Sequence, residues 1–239
     1  MEYLTLHNGR RMPALGLGTW DLRGQTCVET IPRALELGYR LIDTAQMYEN
    51  EREVGQGLRL AGLPREEVWV TTKIFRPDTT YAKAKAAIQR SLDQLALDYI
   101  DLLLIHEPYD TAEEMYVALE EAYQAGTLRA IGISNFHEAR YQTFLAGCQV
   151  VPMVNQVESH VYFLRKDLQR AMAAGEAQVS VRFADDAYVT ACASLLDGGE
   201  LSNVFQQAAQ RAGVEVAPLS SLWYTRNDEM GVLTFLLPT

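Results

Sequence analysis

Ile100-Asp101-Leu102-Leu103-Leu104-Ile105 is apolar at five of its six positions, and a polar residue, His106, follows it directly. A run this short and this apolar fits a strand buried on both faces, as in a parallel sheet covered by helices. Working outward, residues 112–125 read as a helix ended by Gly126, and residues 130–133 as the next strand. Two strands joined by a helix make a parallel βα unit. The same rhythm runs upstream, with strands at 15–20, 40–43 and 68–72 and helices at 26–37, 51–60 and 81–95. Downstream come a helix at 137–146 and a sixth strand at 152–155. Six such units in succession, with glycines at helix ends, favour an α/β fold of the (β/α)8 TIM-barrel type over an open sheet. Ahead of them, residues 3–6 and 11–14 read as a hairpin with Asn8-Gly9 as a two-residue turn.

Beyond about residue 176 the rhythm changes. Residues 178–183 and 188–195 both look like strands, and four residues between them suit a hairpin but not a parallel crossover. A helix at 201–211, a strand at 214–219 and an apolar run at 233–237 follow. The expectation is a barrel incomplete or modified after its sixth strand. It divides into a barrel portion, 1–175, and a divergent α/β C-terminal segment, 176–239.

Four polar residues sit at or just past the ends of successive strands: Asp43, Tyr48, Lys73 and His106. In a parallel barrel these ends open on one face, where active sites are built. Each residue alone has a plainer reading: a turn cap, a loop aromatic, an exposed lysine and a satisfied core histidine. Together they suit carbonyl reduction, in which hydride addition leaves an alkoxide that must be protonated. A phenol is a weak acid at neutral pH, and an ammonium beside it stabilises its anion and makes it a better donor. Tyr48 would give the proton, Lys73 would assist it, Asp43 would hold Lys73, and His106 would orient the carbonyl or help pass the proton.

The bulk properties are compatible with such a protein. The chain has 239 residues, 48% of them hydrophobic and 22% charged, which fits a soluble globular domain. A net charge of −10 argues against nucleic-acid or anionic-membrane partners, either of which would want a basic face. Cys27, Cys148 and Cys192 are scattered and lack metal-ligand spacing, so free thiols and no metal are expected. The first residues lack a basic segment and apolar run, and no stretch approaches a membrane span, so the cytoplasm is the expected compartment.

Several linked motifs resemble the aldo-keto reductases. They are Gly16-Leu17-Gly18-Thr19-Trp20, Ile42-Asp43-Thr44-Ala45, Tyr48-Glu49-Asn50-Glu51 and Thr71-Thr72-Lys73. Asp101 to His106, Ile131-Gly132-Ile133-Ser134-Asn135-Phe136 and Val154-Asn155-Gln156-Val157-Glu158 complete the series, over about residues 3–160. The resemblance implies an (β/α)8 barrel that reduces aldehydes or ketones with NADPH or NADH. It gives Asp43, Tyr48, Lys73 and His106 the catalytic places. Ser134, Asn135 and Gln156 take the places that bond the nicotinamide carboxamide, and Thr19 and Asp43 also fall to the cofactor. Trp20, His106 and Glu107 fall to the substrate. Many members have Trp where Glu107 stands, so a different pocket wall is expected. A small carbonyl compound is the expected partner, and the expected state is a monomer or weak homo-oligomer.

After about residue 160 the family pattern decays. Residues 214–221 echo the segment that grips the cofactor phosphates, but Leu219 stands where a lysine would fall. A basic pocket built from Arg182, Arg211 or Arg226 could replace it. The tail also resembles the closing αβ unit of fold-type I aminotransferases, without a lysine in a setting for pyridoxal phosphate. An alternative function follows: a catalytically impaired, truncated or fused barrel that serves as a non-enzymatic binding or interaction protein.

Overall fold

The computed structural model describes residues 3–158, residues 168, 170 and 172, and the backbone of 178–182 and 233–236. The chain divides into two compact units, one of Met1–Phe183 with Leu233–Thr239 and the other of Ala184–Val232. The second unit lies outside the described residues, and with it the expected strands at 188–195 and 214–219 and the helix at 201–211.

A small antiparallel sheet opens the chain, with β1 at Tyr3–Thr5 paired to β2 at Arg11–Pro13. Its connection is longer than the two-residue turn that Asn8-Gly9 suggests. Leu6 N–H donates to the Arg10 carbonyl at 2.8 Å, so His7, Asn8 and Gly9 all lie in the loop. Only Gly9 there takes a positive φ, +81°. Asn8 keeps ordinary φ because its side chain is engaged: Oδ1 accepts from Arg10 N–H, and Nδ2 donates to the Arg129 carbonyl. A three-residue loop with glycine in the left-handed position meets the strand twist equally well. Leu4, Leu6 and Met12 are buried, so the hairpin turns its apolar face to the core.

Six parallel strands follow, as the rhythm implies: β3 (Leu15–Gly18), β4 (Leu41–Asp43), β5 (Trp69–Ile74), β6 (Leu102–Ile105), β7 (Ile131–Ser134) and β8 (Val154–Glu158). Neighbours pair in register, Leu17 with Ile42, Ile42 with Val70, Thr72 with Leu103, Leu104 with Gly132 and Ile133 with Asn155. All four residues of β6 are buried. Each such side chain removed from water contributes roughly 1.5–3 kcal/mol, which explains why an unbroken apolar run marks this strand. The sixth strand begins later than the expected 152–155, because Pro152 has no N–H to give a ladder. Gly16 lets β3 approach β4: a Cβ there would lie 2.3 Å from Leu41 Cδ2. This supports close packing, and not a phosphate loop, as the use of that glycine.

Between these strands lie α1 (Gly24–Glu36), α2 (Glu51–Ala61), α3 (Tyr81–Leu95), α4 (Ala112–Gln124) and α5 (Glu138–Leu145), and Leu168, Arg170 and Met172, after β8, are also helical. In α3, Ala84, Ala87, Ile88, Ser91, Leu92 and Leu95 are buried. Their three- and four-residue spacing is one helical face. Thr80 caps its start by accepting from Lys83 N–H. No helix among the described residues is long and apolar enough to cross a membrane.

The barrel closes, and it is modified after its sixth strand. β9 (Gln178–Arg182) continues parallel to β8. Its other neighbour is β10 (Leu233–Leu236), which runs antiparallel to both β9 and β3 and completes the ring of eight. The hairpin expected between residues 178–183 and 188–195 falls partly outside the described residues, and the antiparallel neighbour seen for β9 is the apolar run from much further along the chain. Leu233 pairs with Leu17 and Phe235 with Leu15, so β10 enters at the end where the parallel strands finish and leaves at the opposite end.

Candidate active site

The parallel strands bring the polar residues of distant motifs to one end of the barrel. Asp43 closes β4, Lys73 lies one residue before the end of β5, and His106 follows β6. The Tyr48 hydroxyl reaches the same point from a single 3-10 turn, Gln46–Tyr48. All four are at least 98% buried.

Lys73 has no exposed surface, and burying an ammonium costs several kcal/mol unless its donors are matched. Its three protons have three acceptors. Nζ donates to Asp43 Oδ1 at 2.5 Å, to the Thr44 carbonyl at 2.9 Å and to Tyr48 Oη at 3.4 Å. Asp43 spends its second oxygen on Gln156, whose Nε2 donates to Oδ2 at 2.8 Å. The lysine is thus neutralised by one carboxylate and aimed at one phenol, which is the arrangement that stabilises a phenolate.

Aromatic edges frame the phenol. The Trp20 ring meets the Tyr48 ring edge-on at 4.9 Å, and His106 meets it at 5.9 Å. Phe75 lies edge-on to His106 on the other side, also at 5.9 Å. His106 N–H donates to the Ile74 carbonyl, which ties the β6 end to β5. An open groove of about 830 Å³ continues over this mouth, lined in part by Phe75, Arg76, Glu107, Tyr109 and Asp110.

Some supports were present in the motifs without a role attached to them. Glu49, directly after Tyr48, sits at φ +54°, a left-handed conformation that a non-glycine residue adopts only when its surroundings enforce it. Asn50 supplies the enforcement. Its Nδ2 donates to the carbonyls of Thr19 and Leu22, and its Oδ1 accepts from Thr44 Oγ1. Arg23 donates to the Tyr48 carbonyl. Glu51 is buried beneath, accepting from Thr72 Oγ1 at 2.6 Å, and burial raises its carboxyl above the ordinary range. The adjacency of Asn50 and Glu51 to Tyr48 was the signal, but their partners lie on other strands.

The remaining expected residues gather nearby. Ser134 Oγ donates to the Gln156 carbonyl, and Asn135 N–H does the same. Asn135, at φ +64°, sends Nδ2 to Glu107 Oε1 at 2.9 Å and to the His106 carbonyl at 3.3 Å. Thr19 is buried beside Asp43, donating its N–H to the Asp43 carbonyl. Two buried oxygens here, Thr19 Oγ1 and Gln156 Oε1, lack hydrogen-bond partners. Arg182 lies in β9, and Arg211, Leu219 and Arg226 fall outside the described residues.

Comparison with known proteins gives the family. The model of the aldo/keto reductase family matches residues 14–210, well past the last of the motifs. The 9,11-endoperoxide prostaglandin H2 reductase of Trypanosoma cruzi (strain CL Brener) is 49% identical over 168 residues, 70% of this chain and 59% of that protein. This chain therefore spans less than two-thirds of that relative's length. Glyoxal reductase of Bacillus subtilis (strain 168) is 38% identical over 225 residues, 93% of this chain and 78% of that protein. Among solved structures, Bombyx mori aldo-keto reductase in complex with NADP superposes with a TM-score of 0.70 at 31% identity, covering 75% of this chain and 65% of that one. By fold, by the residues at its barrel mouth and by these likenesses, the chain belongs to the aldo/keto reductase family.

Proposed function

We propose that the protein reduces small aldehydes or ketones to alcohols with NADPH or NADH, with Tyr48 as the proton donor. The observation that carries the reading is the buried contact of Lys73 with both Asp43 and Tyr48. The ammonium steadies the negative charge that grows on the phenol oxygen as its proton leaves. Asp43 keeps the ammonium in place, and His106 lies where it can orient the carbonyl oxygen. Trp20, Phe75 and Glu107 form walls against which a small substrate would rest.

The residues present fit the nicotinamide end of such a cofactor. Thr19 Oγ1 and Gln156 Oε1 are buried polar atoms without partners, on residues that bond the Asp43 carbonyl and carboxylate respectively. Such atoms cost about 1–3 kcal/mol each until satisfied, so polar groups of a ligand are favoured there. When bound, the reduced nicotinamide supplies the hydride. Ser134, Asn135 and Gln156 would hold its carboxamide, and Thr19 and Asp43 its ribose side. The split of the chain into 1–175 and 176–239, a cytoplasmic location and a monomer or weak homo-oligomer belong to the same proposal.

A second reading draws on the reversed β10. In an all-parallel barrel the loop after the last strand lies at the site and can carry phosphate-binding residues. Here the chain leaves β10 at the opposite end. Loss of several charge-assisted contacts would weaken cofactor binding by orders of magnitude and leave a binding protein without turnover.

Turnover separates the two readings. Purified protein given NADPH and a small dicarbonyl such as methylglyoxal should oxidise NADPH only when the aldehyde is present. Tyr48→Phe should slow this about 10²–10⁴-fold, the range for loss of a positioned proton donor. Equal rates in wild type and Tyr48→Phe would remove Tyr48 from the role, and no rate in either would favour the second reading.

A further inference from the structure

We infer that Glu107 is a positioning residue for the cofactor side of the site: its carboxylate fixes the orientation of the Asn135 side-chain amide, so that Asn135 presents its oxygen to the carboxamide N–H of a bound nicotinamide. The inference rests on the reductase reading and adds to it a residue that otherwise serves only as substrate wall. Asn135 Nδ2 has two partners, Glu107 Oε1 at 2.9 Å and the His106 carbonyl at 3.3 Å. A carboxylate oxygen and a backbone carbonyl can only accept hydrogen bonds, so the amide end that faces them must be NH₂. The flip of Asn135 is decided by this chemistry. The arm left for a ligand is Oδ1, a pure acceptor.

The backbone makes this choice consequential. Asn135 is held at φ +64° with its N–H bonded to the Gln156 carbonyl, so the side chain leaves from a fixed base. It is half-exposed at the mouth of the barrel, as is Glu107. On the neighbouring strand, β8, the same device recurs. Asp43 accepts from Gln156 Nε2 and leaves Gln156 Oε1 as the unengaged arm. Two carboxylates thus turn two amides the same way, toward a ligand group that donates. A side chain such as Trp at position 107 has no acceptor and would leave only the longer bond to the His106 carbonyl to orient Asn135, so the residue sets more than the shape of the pocket.

The test compares NADPH with its 3-acetylpyridine analogue, reduced, in which a methyl group replaces the carboxamide NH₂. Dissociation constants are read by fluorescence titration of wild type, Glu107→Ala and Glu107→Gln. Wild type should bind the analogue about tenfold more weakly than NADPH. Loss of one oriented hydrogen bond should weaken NADPH binding about fivefold in Glu107→Ala, with little change for the analogue, so that the preference nearly disappears. Glu107→Gln can still accept from Asn135 and should retain the preference. A ratio of the two ligands that is unchanged in Glu107→Ala overturns the inference and leaves the reductase reading standing. No NADPH binding by folded wild-type protein overturns that reading, and the inference with it.

Discussion

Two cation–carboxylate pairs stand at opposite ends of β5, and they differ in what surrounds them. At the end where the strands begin, Arg65 donates to Asp101 Oδ2 at 2.6 Å, and Asp101 also accepts from Val70 N–H. Arg65 donates further to the carbonyls of Val68 and Tyr99, and its guanidinium covers the Tyr99 ring. Its partners stitch the starts of β5 and β6 together. At the other end, Lys73 and Asp43 form a more deeply buried pair, with side chains 0% and 4% exposed against 24% and 13% for Arg65 and Asp101. Desolvation there costs more, yet one proton of the ammonium is aimed at a phenol and one oxygen of the carboxylate holds an amide. The first pair serves the chain. On the proposed function the second holds side chains in readiness for a ligand, and a buried charge pair with arms left over in this way marks a candidate site.

The sharpest way to break this contrast is to remove each cation. Lys73→Met should abolish measurable turnover and destabilise the fold by about 3–5 kcal/mol, because Asp43 is left as a buried, uncompensated charge. Adding Asp43→Leu should restore much of that stability and none of the activity, as read by urea denaturation beside an NADPH oxidation assay. If the double variant were as unstable as Lys73→Met, the pair would be structural in the way Arg65 and Asp101 are. Asn50→Ala comes next. It deprives one buried carbonyl, one half-buried carbonyl and one hydroxyl of their partner, and should cost about 2–3 kcal/mol while lowering kcat about tenfold through the loosened Tyr48 loop. Arg65→Met should cost about 1–3 kcal/mol and leave kcat within about twofold of wild type. A large fall in kcat for this variant would erase the distinction between the two ends.

The smallest effect concerns Glu51, beneath the site. Burial holds its carboxyl above the ordinary value of 4.5, against the weaker pull of the Thr72 hydroxyl. As pH rises through 4.5 the unfolded chain releases this proton and the folded chain keeps it. Stability from this group is therefore full below that pH and is lost as pH rises through the folded value. Glu51→Gln keeps an acceptor for Thr72 and cannot ionise. It should melt higher than wild type at neutral pH, with the gap closing in acid; a gap independent of pH would contradict the assignment.

The same contrast explains what could be read in the sequence. From Leu15 to Glu158 short strands led by apolar residues alternate with helices of three- and four-residue periodicity, so local patterns carry the topology. Asp43, Lys73 and His106 could be found because a strand end is a position in the sequence as well as in space. The closing strands fall in the runs expected at 178–183 and 233–237, but their pairing and direction carry no such signal. Nothing in Leu233–Leu236 says which way it will run, because its direction is set by where the preceding chain delivers it. The bond from Asn135 to Glu107 was equally hidden, since the two residues lie 28 apart and meet only through the left-handed backbone at Asn135. At the hairpin, Asn8-Gly9 gave the right motif and the wrong loop length, because Asn8 was recruited by Arg129, far along the chain.

The most direct test of the central claim, that this barrel mouth still receives a reduced nicotinamide cofactor, is a fluorescence titration of the folded protein with NADPH. It should be run on wild type and on Tyr48→Phe. The account predicts saturable binding of similar strength in both, with dissociation constants on the order of micromolar, since the phenol hydroxyl acts in proton transfer more than in binding. No saturable binding by either protein up to about millimolar NADPH, an affinity of only about 4 kcal/mol, would contradict it.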